Sequence, residues 1–260
     1  FIEATSFVSK KWVPQLADCN EVAQGITRRK GVVYSCLTPN KQGLDQAISA
    51  KMDEVAIFCS ASEAFSKKNI NCSIDQSFGR FEKVMDGAKA LNLPVRGYVS
   101  CVLGCPYQGS VDPEIVGQTV GRLLDIGCHE ISLGDTIGVG TPGSTFTMLQ
   151  AVKKYAPVEC VAVHFHDSYG QALANILIAL QENVSTIDSS IAGLGGCPYA
   201  SGASGNVATE DVVYMLNGMG IKTGIDLGKL VSTAKFISEE IKKMPSSKVS
   251  LAMLSKELHI

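Results

Sequence analysis

The run Val161-Ala162-Val163-His164-Phe165-His166-Asp167 sets two imidazoles two residues apart in an otherwise apolar segment. Side chains alternate across a strand, so His164 and His166 share a face with Ala162, while Val161, Val163 and Phe165 take the other. Only 4 histidines occur in the whole chain, so the pairing is not an effect of composition. Neutral imidazole is a common metal ligand, and two on one strand face can grip a single ion. The plainer reading is a pair of polar residues satisfied by hydrogen bonds at a strand end. Two imidazoles do not complete a coordination shell, so oxygen donors must come from other segments.

A second segment with chemical potential runs from Gly193 to Asn206, with glycines at 193, 195, 196, 202 and 205. So many glycines produce a mobile or sharply bent loop, and Cys197 rides on it. A thiol with a pKa near about 8.5 exchanges protons close to neutral pH. The same loop could instead cradle phosphate, with Cys197 incidental. Asn206 leads into the next helix, where its amide oxygen can cap the helix or complete a metal shell.

Four further polar residues sit in strand-like runs. Glu3 interrupts Phe1-Ile2-Glu3-Ala4-Thr5, where a carboxylate is costly unless it is paired or bound to metal. Asp135 follows Ile131-Ser132-Leu133-Gly134 and precedes Thr136, in the position of a general base or of a residue that orients one. Arg96 and Tyr98 are two apart, share a face, and could hold a carboxylate and a carbonyl. Taken singly, each is better read as a structural hydrogen-bonding group. Convergence at one end of a sheet is what would make them a site.

The elements that would position these residues alternate along the chain. Strands are expected near 1–5, 32–37, 54–59, 95–103, 130–134, 160–166 and 186–192. Amphipathic helices fall between them, at 75–91, 113–126 and 145–155 for example, and a helical region covers 227–260. Ser110 and Asp112 ahead of Pro113, and Thr141 ahead of Pro142, are helix start signals. Such alternation requires a parallel sheet with helical crossovers. A doubly wound sheet is one outcome. The absence of an early GxGxxG and the polar residues at several strand ends favour a TIM barrel, an α/β fold with eight strands. Seven strand–helix units are visible, so an eight-stranded barrel would lack its first strand here.

Composition narrows the function classes. A 45% hydrophobic content with 18% charged residues suits a globular chain with a large core, and no linker divides residues 1–260 into two domains. The net charge is −2 with scattered lysines and arginines, which argues against nucleic acid as a partner. No apolar run is long enough for a membrane span. The 9 cysteines are odd in number and form no CxxC, which points to buried thiols in a reducing compartment rather than to a disulfide framework. The chain begins at Phe1, already inside a strand-like run, with no targeting segment in view.

Taken together, the segments resemble the 3-hydroxy-3-methylglutaryl-CoA lyases. The resemblance rests on IEATSFV from Ile2, KKNINCS from Lys67, RGYVSC from Arg96, SLGDTIGVGTPG from Ser132, HFHDSYGQALAN from His164, and the stretch Gly193 to Asp211. It extends from residue 1 to about 249. The cysteine loop is specific to these lyases; HxH alone would indicate only the wider metallolyase superfamily.

The resemblance implies cleavage of (S)-3-hydroxy-3-methylglutaryl-CoA to acetyl-CoA and acetoacetate, a reaction of ketogenesis and leucine degradation. It implies that His164, His166 and Asn206 hold Mg2+ or Mn2+ and that Cys197 transfers a proton. Asp135 and His164 would assist removal of the hydroxyl proton, Glu3 would join the catalytic groups, and Arg96, Tyr98 and Thr136 would bind substrate. It further implies a homodimer acting on an acyl-CoA, in the mitochondrial matrix if the source is eukaryotic and otherwise in the cytoplasm. The family's Arg-Asp pair from its first strand has no counterpart in these residues, and neither has its C-terminal cysteine. The alternatives are a related enzyme condensing acyl-CoA with a 2-oxo acid, and a non-catalytic truncated barrel.

Overall fold

The structure, a computed structural model, describes residues 1–11, 13–196 and 205–257. Strand β1 (Ile2–Ser6) is followed by α1 (Cys19–Gly25), β2 (Tyr34–Leu37), α2 (Lys41–Ser49), β3 (Glu54–Ser60), α3 (Glu63–Ile70) and α4 (Ile74–Lys89). Then come β4 (Val95–Ser100), α5 (Pro113–Asp125), β5 (Glu130–Asp135), α6 (Pro142–Val152), β6 (Val161–Phe165), α7 (Ala172–Gln181) and β7 (Thr186–Asp188). Helices α8 (Thr209–Gly218), α9 (Leu227–Glu240) and α10 (Lys248–Glu257) complete the order. Among the described residues no helix is long and apolar enough to cross a membrane.

All seven strands are parallel and lie side by side in chain order, β1 to β7. A doubly wound sheet would reverse its order at a switch point, and this one does not. The sheet is also strongly curled. In a flat sheet β1 and β4 would lie about 14 Å apart, three strand spacings, as would β4 and β7. Yet the Tyr98 hydroxyl on β4 donates to Glu3 Oε2 on β1 at 2.9 Å, and Arg96 on β4 reaches Asp188 on β7 at 2.9 Å. Only a sheet rolled towards a barrel brings those side chains together.

Alternation along each strand separates two environments. Val55, Ile57, Val99, Ile131, Leu133, Val163 and Phe165 face the helices and are buried in the main core. Each such side chain contributes roughly 1.5–3 kcal/mol by leaving water. Glu54, Arg96, Tyr98, Glu130, Ser132, His164 and Asp188 occupy the opposite, inward phase. The interior of the curl is therefore polar.

Two strands stop earlier than their composition suggests. The fourth ends at Ser100 because Cys101 adopts φ 63°, which breaks the extended run expected to reach 103. The seventh ends at Asp188, not 192; residues Ile191–Gly193 form a 3-10 turn in which Ala192 has φ 56°. The sixth helix begins at Pro142, immediately after the Thr141 start signal. Among the described residues eight cysteines are free thiols, seven of them buried. Burial pushes the Cys36, Cys101 and Cys128 thiols up to about 12, so they stay protonated.

Near the N-terminal ends of β3 and β5, His129 Nε2 lies 2.7 Å from Glu54 Oε2. The hydrogen bond to Glu54 is the main cause that raises the His129 pKa, against burial, which lowers it. A raised folded value means that the pair stabilises fully below the ordinary histidine range, near about pH 6.5, and that this is lost as pH rises through the folded value. With the imidazole 44% exposed, the gain is at most about 1 kcal/mol. The difference in thermal midpoint between the parent and His129→Gln should accordingly shrink with rising pH. A pH-independent difference would mean that the pair is not charged.

Candidate active site

His164 and His166 take the shared inward face that strand alternation dictates, with ring centroids 5.5 Å apart. The edge of the Tyr98 ring meets His164 at 6.1 Å and an interplanar angle of 89°. Asn206 is brought to them by the backbone. Residues 205–208 run alongside the ends of β6 and β7: Asp167 N donates to Gly205 O at 2.8 Å, Val207 N to Phe165 O at 3.3 Å, and Ser190 N to Val207 O at 3.1 Å. His166 and Asn206 are thereby paired as neighbours in a β-bridge. The Asn206 amide nitrogen donates to Leu194 O at 3.0 Å, and its amide oxygen is the acceptor that faces His166.

The stem of the glycine loop is held from below. Buried Glu210 accepts the Ala192 amide through both oxygens, at 2.9 and 3.1 Å, and a hydroxyl hydrogen bond from Ser250. Glycine is required at 205: φ is +82°, and a Cβ there would sit 1.6 Å from the Gly195 carbonyl oxygen. Gly195 and Gly205 therefore pack tightly against each other. Cys197 itself lies outside the described residues.

The donors suit a divalent cation. Among the described residues His166 Nδ1 is buried without a hydrogen-bond partner, a costly state for a polar atom unless something else occupies it. Burial, and then the neighbouring His164, lower the His166 pKa to about 4, so its ring is neutral at pH 7 and keeps a lone pair to donate. Glu3, Glu130 and Asp188 surround a single guanidinium, Arg96, so the interior carries a net negative field. Among the described residues no three His, Cys, Asp or Glu side chains cluster around one point. The third donor beside the histidines is the amide of Asn206.

Arg96 does hold a carboxylate, but one belonging to the protein. Its Nη1 and Nη2 donate to Asp188 at 3.0 and 2.9 Å, its Nε to Glu130 at 2.7 Å, and Nη1 also to the Tyr98 hydroxyl at 2.7 Å. Burial works to lower its pKa, yet Asp188, Tyr98 and Glu130 outweigh it and keep Arg96 charged. A substrate carboxylate would have to displace one of these partners. Glu3 is exposed along the sheet edge; protein around it pushes its carboxyl up and Tyr98 pulls it down, both damped by solvent.

Asp135 is placed differently from a residue facing the histidines. It shares the helix-facing phase of Ile131 and Leu133, and its oxygens accept from Val139 N at 3.2 Å and Gly140 N at 2.8 Å. Burial raises its pKa, and the Gly140, Val139 and Gly138 amides oppose that. A side chain at Gly140 would strike Leu103 at 2.3 Å and Asp135 at 2.8 Å, so the carboxylate and the glycine form one close-packed unit. Thr136 accepts the Cys101 amide at 2.8 Å and fixes the end of β4. Reading the sequence alone missed Asp188, Ser132 and Glu130, although Asp188 carries the same signal as His164: a polar residue in the inward phase of a strand end.

A family model described as HMGL-like matches residues 2–237. The chain is 61% identical over 251 residues to the mitochondrial hydroxymethylglutaryl-CoA lyase of Gallus gallus, covering 96% of this chain and 84% of that protein. It is 58% identical over 257 residues to the cytoplasmic 3-hydroxy-3-methylglutaryl-CoA lyase of Rattus norvegicus, covering 99% and 75%. The crystal structure of hydroxymethylglutaryl-CoA lyase from Pseudomonas aeruginosa superposes with a TM-score of 0.96 at 53% identity, covering 98% of this chain and 85% of that one. With fold and sequence in agreement, the chain belongs to the HMGL-like family, among its hydroxymethylglutaryl-CoA lyases.

Proposed function

We propose that this chain cleaves (S)-3-hydroxy-3-methylglutaryl-CoA to acetyl-CoA and acetoacetate, with His164, His166 and Asn206 holding Mg2+ or Mn2+. The observation that carries the reading is the buried His166 Nδ1, without a hydrogen-bond partner among the described residues, on a ring beside His164 and Asn206. A bound divalent ion supplies Lewis acidity that favours the substrate alkoxide and fixes its orientation. The tertiary hydroxyl loses its proton to water, with His164 and Asp135 assisting its removal. The O–H electron pair becomes the carbonyl of acetoacetate as the carbon–carbon bond breaks. The pair from that bond passes to the acetyl thioester as an enolate, which the Cys197 thiol protonates. Glu3, Arg96, Tyr98 and Thr136 line the site and keep its polar groups aligned. Asp135 contributes by shaping the loop that follows β5, which suits an orienting role.

Further support comes from outside the barrel interior. A cavity of about 810 Å³ between α9 and α10 is lined by Lys235, Lys242, Lys243, Met244 and Leu251. Its size suits a large ligand, and its lysines suit the phosphates of coenzyme A. It adjoins the loop stem, where the Ser246 hydroxyl donates to Ala192 O at 3.1 Å. A solved HMG-CoA lyase from Acenitobacter baumannii is in complex with coenzyme A and 3-methylmalate. The reading extends to one catalytic domain over residues 1–260 working as a homodimer. Because relatives include mitochondrial and cytoplasmic lyases, we assign it to the mitochondrial matrix in a eukaryote and to the cytoplasm otherwise.

The intact protein supplied with the thioester and Mn2+ should release acetoacetate, and a chelator should stop it. Cys197→Ala should slow turnover by about 10²–10⁴-fold while leaving Mn2+ affinity unchanged. No acetoacetate from the metal-loaded protein would reject the lyase reading. Parent-rate turnover in the variant would reject the role of Cys197.

A further inference from the structure

We propose that Asp188 is the positioning residue for His164, fixing the ring so that Nδ1 carries the proton and Nε2 is left for the divalent ion. The inference rests on the reading of His164 as a ligand, but it draws on different atoms. Asp188 Oδ2 lies 3.4 Å from His164 Nδ1. That nitrogen is buried and has no hydrogen-bond partner among the described residues, so the carboxylate is the polar group placed to receive its proton. The spacing is longer than a formed charge-assisted bond, which is typically about 2.7–2.9 Å, and a small ring rotation closes it.

The carboxylate is itself over-determined. Arg96 donates to both its oxygens, at 3.0 and 2.9 Å, and the Ser132 hydroxyl donates to Oδ2 at 2.7 Å. Register fixes the rest, because His164 and Asp188 are paired neighbours on β6 and β7. An anion so held is a fixed acceptor. A carboxylate behind a metal-bound imidazole sets the tautomer, orients the ring and raises its basicity. His166 has no such partner at Nδ1, so the two histidines are not equivalent donors.

Nitrogen chemical shifts of the His164 ring in the unaltered, metal-free protein test this without any substitution. A ring protonated at Nδ1 is expected; a ring protonated at Nε2 with Nδ1 bare would overturn the proposal. In the intact protein, Asp188→Asn should weaken Mn2+ binding about 10–100-fold by calorimetry. It should lower kcat more than it changes KM. Ser132→Ala, which removes one hydrogen bond and leaves the Arg96 pair, should weaken Mn2+ binding a few-fold and serves where Asp188→Asn does not fold. Parent Mn2+ affinity in a folded Asp188→Asn or in Ser132→Ala would refute the positioning role. Failure of the underlying reading looks different: His164→Ala would then bind Mn2+ as the parent does.

Discussion

His166→Ala will bind Mn2+ at least about a hundredfold more weakly than the parent, beyond the usual loss for an outer-shell partner, and acetoacetate production will fall with it. The ring is neutral at pH 7, since burial and His164 lower its pKa to about 4, and its Nδ1 has no hydrogen-bond partner. A structural histidine would be expected to spend that nitrogen on a hydrogen bond. The sign of the pH dependence gives an independent check on the metal-free protein. Between the ordinary histidine value and about 4 the unfolded chain binds a proton at this ring that the folded chain does not. Parent stability must therefore fall as pH drops through that window, and the variant should lose this component. Calorimetric titration with Mn2+ and thermal melts across the window read both effects. Unchanged affinity would remove His166 from the ligand set.

The second large effect concerns stability. Arg96→Met should destabilise the fold by about 3–5 kcal/mol, the range for breaking a buried ion pair from one side. For a chain of this size that corresponds to a drop of on the order of 10 °C in thermal midpoint. The guanidinium side chain is 9% exposed, and the carboxylates of Glu130 and Asp188 are 19% exposed each, so both acids would be left poorly compensated. Arg96→Lys should recover only part of the loss, because an ammonium cannot make the bidentate contact to Asp188. The same variants separate two roles. A scaffold residue predicts lower stability with KM little changed, and weaker Mn2+ binding because Asp188 loses the two bonds that hold it behind His164. A variant with parent stability but a greatly raised KM would show instead that Arg96 binds the substrate.

Much of this arrangement was legible before any coordinates, for reasons that differ by residue. The histidine pair was readable because alternation in a strand is rigid: two apart is the same face wherever the strand goes. A parallel sheet followed from strict alternation with helices, and its chain-order pairing from the barrel that the polar strand ends favoured. Asp135 obeys the same rigid rule with a different result. It is one residue out of phase with Gly134 and Ser132, so its carboxylate turns to the amides of its own loop. The partner of Arg96 was invisible because it lies 92 positions away, and only curling of the sheet brings Asp188 within reach. Strand ends were overestimated where a single residue, Cys101 or Ala192, adopts a left-handed backbone that its type does not announce.

The Arg96 cluster also bears on how the sheet comes apart. A parallel sheet in chain order is close to a linear array, in which an outer strand could fray while the middle stays intact. Arg96 and Tyr98 cross that array, joining β4 directly to β1, β5 and β7. Releasing β7 then strips two charge-assisted bonds from the centre, and releasing β1 strips the Tyr98 contact. Opening at the rim and loosening of the middle become one cooperative event rather than two. The histidine-bearing strand lies between β5 and β7, inside that unit. Its geometry is thus protected by the free energy of the whole sheet, not by the few bonds of its own edges.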